Sequence, residues 1–327
     1  MSKADQLQQR WYEDRPPPWW TWPVAALYRA ITAARRMLYR RGWKRSERLP
    51  APVIVVGNIT VGGAGKTPLV IALVEALRES GFRPGVVSRG HGGSAREPML
   101  LNDDPDPRVV GDEPALIKLR TRAPVAIGRD RPKAAKLLLA AGANVVIADD
   151  GLQHYALARD IEICVVDGAR RFGNARPLPA GPLREPLSRL QEVDCVVCNG
   201  GEPQAGEIAM RLQPGDAINL HDPSSTRALG AFAGQRVHAL AGIGNPARFF
   251  AMLREQGIEV IEHPFPDHHA YSARDLAFAD ALPVLMTEKD AVKCRAFASE
   301  NAWAVPVHAC LQSAFFVMIS EKLARLP

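Results

Sequence analysis

Residues 60 to 67 read TVGGAGKT, set between the apolar run VIVVG (53–57) and a stretch with helical periodicity. Glycines at such a junction let backbone amides turn inward around an anion. The lysine adds a point charge for β and γ phosphates, the threonine a hydroxyl for a divalent cation. The pattern G-x-x-x-x-G-K-[ST] is met at every position but the first, where Thr60 stands. A helix starting at this point contributes its positive end. The expected nucleotide contacts are therefore Thr60, Val61, Gly62, Gly63, Ala64, Gly65, Lys66 and Thr67. An ordinary glycine-rich turn has no need of the lysine–threonine pair. VVIADDG (145–151) then places Asp149 and Asp150 at the end of a second apolar run. Two adjacent carboxylates there are costly without a cation, so they point to magnesium beside Thr67, and the sequence does not divide the work between them.

A triphosphate site with magnesium leaves a kinase, a GTPase switch or an ATPase working on a partner. Guanine readout wants [NT]-K-x-D after a late strand. TEKD (287–290) has lysine and glutamate transposed, and no lysine or aspartate follows Asn199 in the required way, so ATP is expected. A kinase also needs a base for the acceptor hydroxyl and cations for the transferred group. SRGHGG (88–93) offers Ser88, Arg89, Gly90 and His91; GDEP (111–114) offers Asp112; GRDR (128–131) offers Arg129 and Arg131. DDGLQH (149–154) adds Gln153 and His154, PAGPLREP (179–186) adds Arg184 and Glu185, and FPDHHAY (265–271) adds Asp267, His268 and His269. Each alone reads equally as a cap, a turn or a solvated charge.

The elements that must position these residues alternate. Short apolar runs at 53–57, 84–88, 123–127, 144–149, 161–167 and 194–199 predict strands, and helical patterns cover 67–80, 113–121 and 131–141. That alternation means an α/β fold, a P-loop NTPase-like, mostly parallel sheet with ligands at the carboxyl ends of its strands. Residues 236–327 read as a second, smaller α/β unit, giving expected boundaries of 1–46, 47–235 and 236–327.

The first segment differs from the rest. Of a net +6, the first fifty residues carry +7, which leaves the remainder near neutrality and unsuited to a polyanion. Five of six tryptophans fall before residue 44, and Val24, Leu27, Ile31, Ala34 and Leu38 share one face of a predicted helix, with Arg29, Arg36 and Arg40 opposite. Such an amphipathic helix suits the headgroup layer of an anionic membrane. The alternatives are packing on the protein's own core and, third, single-stranded nucleic acid, for which the body offers no continuing groove. No apolar run reaches the ~18–20 residues that span a bilayer, and no export signal is evident. Five sparse cysteines suit a reducing compartment, and CVVC (195–198) reads as a buried strand whose cysteines point to opposite faces.

With VVGNITVGGAGKTP, VSRGHGG, GDEP, DDGLQH, RRFGN, LPAGPLRE and MTEKDAVK in hand, the sequence resembles the tetraacyldisaccharide 4'-kinases, the lipid A 4'-kinases of Gram-negative bacteria. The resemblance covers nearly the whole chain, and the family's P-loop also lacks the first glycine. His91 stands where the family more often has an aromatic residue. The resemblance implies transfer of the γ-phosphoryl of ATP to the 4'-hydroxyl of a tetraacylated disaccharide 1-phosphate, at the cytoplasmic face of the inner membrane. It implies Asp112 as base paired with His268, Lys66 on the phosphates, and Arg131 and Arg184 balancing charge. Thr67, Asp149, Asp150 and Glu185 would shape the magnesium site, and Ser88, Arg89, Gly90, His91, Gln153 and His154 would meet the substrates. For Asp112 to meet His268, the C-terminal part must fold back over the cradle.

Overall fold

The computed structural model describes residues 3–13 and 15–326. The chain opens with α1 (Lys3–Arg10) and α2 (Thr21–Arg40). Then follow β1 (Val53–Gly57), α3 (Lys66–Glu79), β2 (Pro84–Ser88), β3 (Met99–Leu100), α4 (Pro107–Val110), α5 (Asp112–Thr121) and β4 (Val125–Ile127). Next come α6 (Arg131–Ala140), β5 (Val145–Asp149), β6 (Ile161–Asp167), β7 (Cys195–Asn199) and β8 (Glu207–Pro214). These strands build one sheet in the order β8-β7-β6-β1-β5-β2-β4-β3, parallel except where β3 runs against β4. β1, β2 and β5 are buried at every position. Their valine-rich runs show no alternation because helices cover both faces.

Two features of this sheet set the site. First, β5 lies between β1 and β2 although it comes later in the chain, with Val56 in register with Asp149. The acidic strand end therefore sits beside the turn that β1 feeds. Second, α3 begins immediately after that turn. Gly65 takes φ +88, a left-handed conformation natural to glycine, and a Cβ there would lie 2.2 Å from the Asn199 amide. Leu69, Leu73, Val74 and Leu77, spaced three and four apart, are buried on the sheet and fix the helix in place.

A second sheet contains β9 (Ala217–Asn219), β10 (Thr226–Arg227), β11 (Arg236–Ala241), β12 (Glu259–Pro264), β13 (Val284–Thr287) and β14 (Ala302–Val305), in the order β10-β9-β14-β13-β11-β12. Its helices are α7 (Pro246–Glu255) and α8 (Glu288–Cys294). The unit thus begins before residue 236, where the sequence placed its start. It also ends before the chain does: β15 (Val307–Cys310) pairs antiparallel with β8 of the first sheet. The following α9 (Ser313–Ala324) returns Phe315, Ile319 and Leu323 to the first core. The cause is apolar demand. A C-terminal helix with those three side chains on one stripe covers the flank of α3 that would otherwise be wet.

Helix α2 departs from expectation in its orientation. Its inward stripe is Thr21, Ala25, Tyr28 and Thr32, and Arg36 pairs with Glu192 on the body instead of facing away from it. The predicted apolar stripe points outward, with Val24, Leu27 and Ile31 exposed by 48%, 61% and 57%. Trp19, Trp20, Trp22 and Trp43 are exposed with it. Packing on the protein's own core is therefore not the fate of this face. Among the described residues no helix is long and apolar enough to cross a membrane. Cys195 and Cys198 are buried thiols on β7.

Candidate active site

A cleft of about 1720 Å³ runs between the two sheets. Its floor is the turn from Val61 to Thr67, and its walls include Ser88, Arg89, His91, Asp150, Gln153, His154, Arg184 and Glu185 from the first unit. Asp267, His268 and Lys289 face it from the second. Most of the residues singled out in the sequence therefore converge on one space. Thr60, Asp112 and Asp149 are buried behind the walls. Thr60 pairs with Leu183, fixing the turn to the PAGPLREP loop. Gly90 serves by conformation, with φ +72 and Ile127 and the Val110 carbonyl close against it. His269 turns away: it stacks on Phe265 at 4.6 Å and lies 3.6 Å from Asp275.

On the phosphate side the charges are already arranged. Lys66 Nζ lies 3.3 Å from Asp150 Oδ1, and Arg184 Nη1 lies 3.2 Å from Asp150 Oδ2. Burial would raise the Asp150 carboxyl, but Lys66, Arg184 and Arg131 outweigh it and hold it well below the usual carboxylate range. Asp150 itself takes φ +49, uncommon for a side-chain-bearing residue, which turns it off the strand toward the lysine. Arg131 is 2% exposed, and its guanidinium donates to the main-chain oxygens of Asp149 at 2.7 Å and Asp150 at 3.4 Å. It braces the strand end. Glu185 accepts from Gln153 Nε2 at 2.9 Å and from the Tyr155 hydroxyl, so both of its oxygens are engaged. His154 is held neutral: burial, then the Arg131 and Arg159 charges, lower it to about 4.

Asp149 contrasts with its neighbour. It is 1% exposed, and neither carboxylate oxygen has a hydrogen-bond partner. Burial, reinforced by Glu113, raises it to about 7 against the pull of Lys66. An orphaned buried carboxylate beside a threonine and a phosphate cradle matches the oxygen-donor chemistry of magnesium. The residues present fit that ion.

The acceptor side is assembled across the cleft. His268 Nδ1 lies 3.2 Å from Asp112 Oδ2, joining the start of α5 to the loop after β12 over 156 residues of sequence. Burial raises the Asp112 carboxyl, but the His268 hydrogen bond and the Lys293 and Lys289 charges prevail, and its pKa falls below the ordinary value. That hydrogen bond in turn raises the His268 imidazole. His91 meets the His268 ring edge-on at 5.3 Å, so the residue that departs from the family pattern still makes an aromatic contact here. His268 adopts φ +61, and the strained turn aims its ring at Asp112.

Some contributors were missed in the sequence. Asn199, noted there only for lacking a guanine motif, donates from Nδ2 to Ala64 O at 3.0 Å, and Arg248 reaches its Oδ1 at 3.3 Å. Arg170 donates to Gly63 O at 2.9 Å. Asn199 ends a parallel strand, where α/β sheets present ligands, and that was the available signal. Arg170 opens the RRFGN run, whose signal was the family resemblance, and Arg248 carried none.

A parallel α/β sheet with a lysine-bearing glycine turn, an acidic neighbouring strand and a carboxylate–imidazole pair opposite defines a P-loop phosphotransferase. Comparison with known proteins is specific. A model of the tetraacyldisaccharide-1-P 4'-kinase family matches residues 17–324. A tetraacyldisaccharide 4'-kinase of Stenotrophomonas maltophilia is 52% identical, over 99% of this chain and 98% of that protein. The Nitrosococcus oceani enzyme of that name is also 52% identical, over 96% and 93%. A crystal structure of an "apo" form of LpxK from Aquifex aeolicus, in complex with ATP, superposes with a TM-score of 0.78 at 30% identity, covering 93% of this chain and 97% of that one. This chain belongs to the tetraacyldisaccharide 4'-kinase family.

Proposed function

We propose that the chain transfers the γ-phosphoryl group of ATP to the 4'-hydroxyl of a tetraacyldisaccharide 1-phosphate, forming the 4'-phosphate of a lipid A precursor. The observation that carries this reading is the Asp112–His268 pair, closed across the cleft from the phosphate cradle in a chain of this family. The turn at 61–67, the α3 N-terminus and Lys66 receive the triphosphate. The acceptor hydroxyl gives its proton to the Asp112–His268 pair as its oxygen forms the new bond to phosphorus and ADP departs. Arg184, held by Asp150, and Lys66 supply positive charge where the transferred group gains negative charge. Arg131 acts through the Asp149–Asp150 backbone. Asp149 and Thr67 would hold magnesium, with Asp150 and Glu185 bordering the site. When bound, that ion neutralises phosphate charge. Ser88, Arg89, His91, Gln153 and His154 line the space for the substrates.

The outward stripe of α2 supports peripheral binding at an anionic bilayer, which we place at the cytoplasmic face of the inner membrane. Val24, Leu27 and Ile31 with exposed Trp19, Trp20, Trp22 and Trp43 present an apolar surface, and the Arg176 guanidinium lies over the Trp22 ring at 4.0 Å. A substrate with four acyl chains stays in the bilayer, so the enzyme must reach it there. An ATPase acting on a protein partner has no observation in its favour over this.

Purified protein incubated with Mg-ATP and the tetraacyldisaccharide 1-phosphate in mixed micelles should yield a new phosphate monoester on the sugar. ATP hydrolysis without a phosphorylated lipid would end the proposal.

A further inference from the structure

TEKDAVK (287–293) found no use in reading the nucleotide, yet the structure sets it against the acceptor side. Thr287 caps α8, its side chain accepting from Asp290 N at 3.2 Å and donating to Asp290 Oδ2 at 2.6 Å. From this helix three charged side chains cross to α5 of the other unit. Lys293 Nζ lies 3.6 Å from Asp112 Oδ2, Lys289 Nζ lies 3.5 Å from Glu113, and Glu288 accepts from Arg120 Nη1 at 2.6 Å through both oxygens. The partners run in opposite order along the two helices, so α5 and α8 lie antiparallel with matched charge. Lys289 also reaches Asp267 at 3.0 Å, next to His268.

We infer that Lys293 is a positioning residue for phosphoryl transfer: it fixes and polarises the Asp112 carboxylate so that one oxygen is held and the other is left for the acceptor. This deepens the kinase reading and rests on it. Lys293 and His268 both address Oδ2 of Asp112, and among the described residues no hydrogen bond engages Oδ1. The ammonium is itself fixed. It lies 3.1 Å from Asp290 Oδ1, donates to His269 O at 3.1 Å, and sits 4.9 Å over the Tyr271 ring. Asp290 is wholly buried and also accepts from Gly242 N at 2.8 Å. A lysine tethered at this many points cannot swing away, so its charge acts on Asp112 permanently. The groups facing Asp112 are thus His268 from the loop, Lys293 and Lys289 from α8, and Glu113 on its own helix. The two lysines account for part of its lowered pKa.

The test compares Lys293→Met, Lys293→Arg and the double variant Lys293→Met/Asp290→Asn, which avoids stranding a buried carboxylate. Loss of the cation should move the acid limb of the kcat–pH profile up by about one unit. Turnover should fall up to about ten-fold on the acid limb and recover to within about two-fold on the plateau above it, with KM for ATP within about two-fold. Arginine should restore most of it. A readout independent of turnover is the His268 ring titration by NMR, assigned by its loss in His268→Asn. Its midpoint should rise in Lys293→Met and return in Lys293→Arg. Wild-type profiles in both readouts for a folded variant, or an equal loss at every pH with weakened ATP binding, overturn the inference. A shifted His268 titration in a protein that phosphorylates no lipid would sink the kinase reading and leave the positioning role standing.

Discussion

The two carboxylates that matter most, Asp149 and Asp112, are both nearly buried, yet their surroundings push them in opposite directions. Asp149 stands at the end of a parallel strand with no hydrogen-bond partner, and burial raises it to about 7. Asp112 opens a helix, meets His268 at 3.2 Å and Lys293 at 3.6 Å, and is lowered. One is left incomplete by the fold, as a group that awaits a cation must be. The other is completed by the fold, because a base must be ionised and aimed before its substrate arrives. The phosphate half belongs to a single sheet edge, whereas the acceptor half exists only where two units meet.

Removing either half should be severe. Lys66→Met is expected to lower kcat by about 10³-fold, and Asp112→Asn by about 10²- to 10⁴-fold with KM for ATP near wild type. Steady-state kinetics on micellar acceptor measure both. His268→Ala should cost less than Asp112→Asn, and the double variant should be no worse than the latter, since the pair acts as a unit. Additive losses would break the pair into independent groups.

Asp149 gives the next largest effect and tests the sign of the contrast. Its native pKa of about 7 exceeds the ordinary 3.8, so the folded state keeps a proton that the unfolded chain has released. Stability from this group is full below about pH 4 and is lost as pH rises through 7. Asp149→Asn removes that loss. Without metal or nucleotide at pH 8 it should melt about 2–4 °C above wild type, while kcat falls about 10²-fold or more. Asp112 has the reverse linkage: its lowered pKa adds stability above about pH 4 that fades as pH falls. Asp112→Asn should therefore lower the melting point at pH 8. Like signs for the two variants in calorimetry would erase the comparison.

Metal binding sharpens the same point. A cation at Asp149 must displace its proton, so apparent magnesium affinity with ATP should rise as pH passes through 7 and proton uptake by buffer should accompany binding below it. Isothermal titration in buffers of different ionisation enthalpy reads the proton count. Smaller still is the effect expected of Val24→Glu/Leu27→Glu on chemistry. Vesicle binding should drop at least ten-fold while turnover on detergent-dispersed acceptor stays within about two-fold, because these exposed side chains do not line the cleft.

Much of the phosphate half was legible before the structure. The strands at 53–57, 84–88 and 161–167 fall where the apolar runs placed them, and β5 begins one residue late. Their burial on both faces makes each a continuous apolar run, and glycine and lysine at the turn are dictated by the anion they face. The outward stripe on α2 was legible as a stripe, but its direction was not. Helical periodicity says which residues share a face, and only the packing partner says which face turns inward; here the inward face is the small Thr21, Ala25 and Thr32 side, with Tyr28 reaching Arg184 O and Arg36 reaching Glu192 on the body. The domain boundary was misplaced at both ends for a related reason. β9 and β15 are short strands whose sheet membership depends on a neighbour far along the chain.

The sequence by itself determined the α/β alternation, the phosphate turn and an acidic strand end, because each is a local pattern of burial and backbone freedom. Tertiary structure alone decided that β5 would lie next to β1, that Asp149 would be left unpartnered while Asp150 is held, and that GDEP and TEKDAVK would face each other through α5 and α8. Those outcomes depend on contacts between residues far apart in the chain, where the energy of a single ion pair or apolar stripe selects among folds that local spacing leaves equally open.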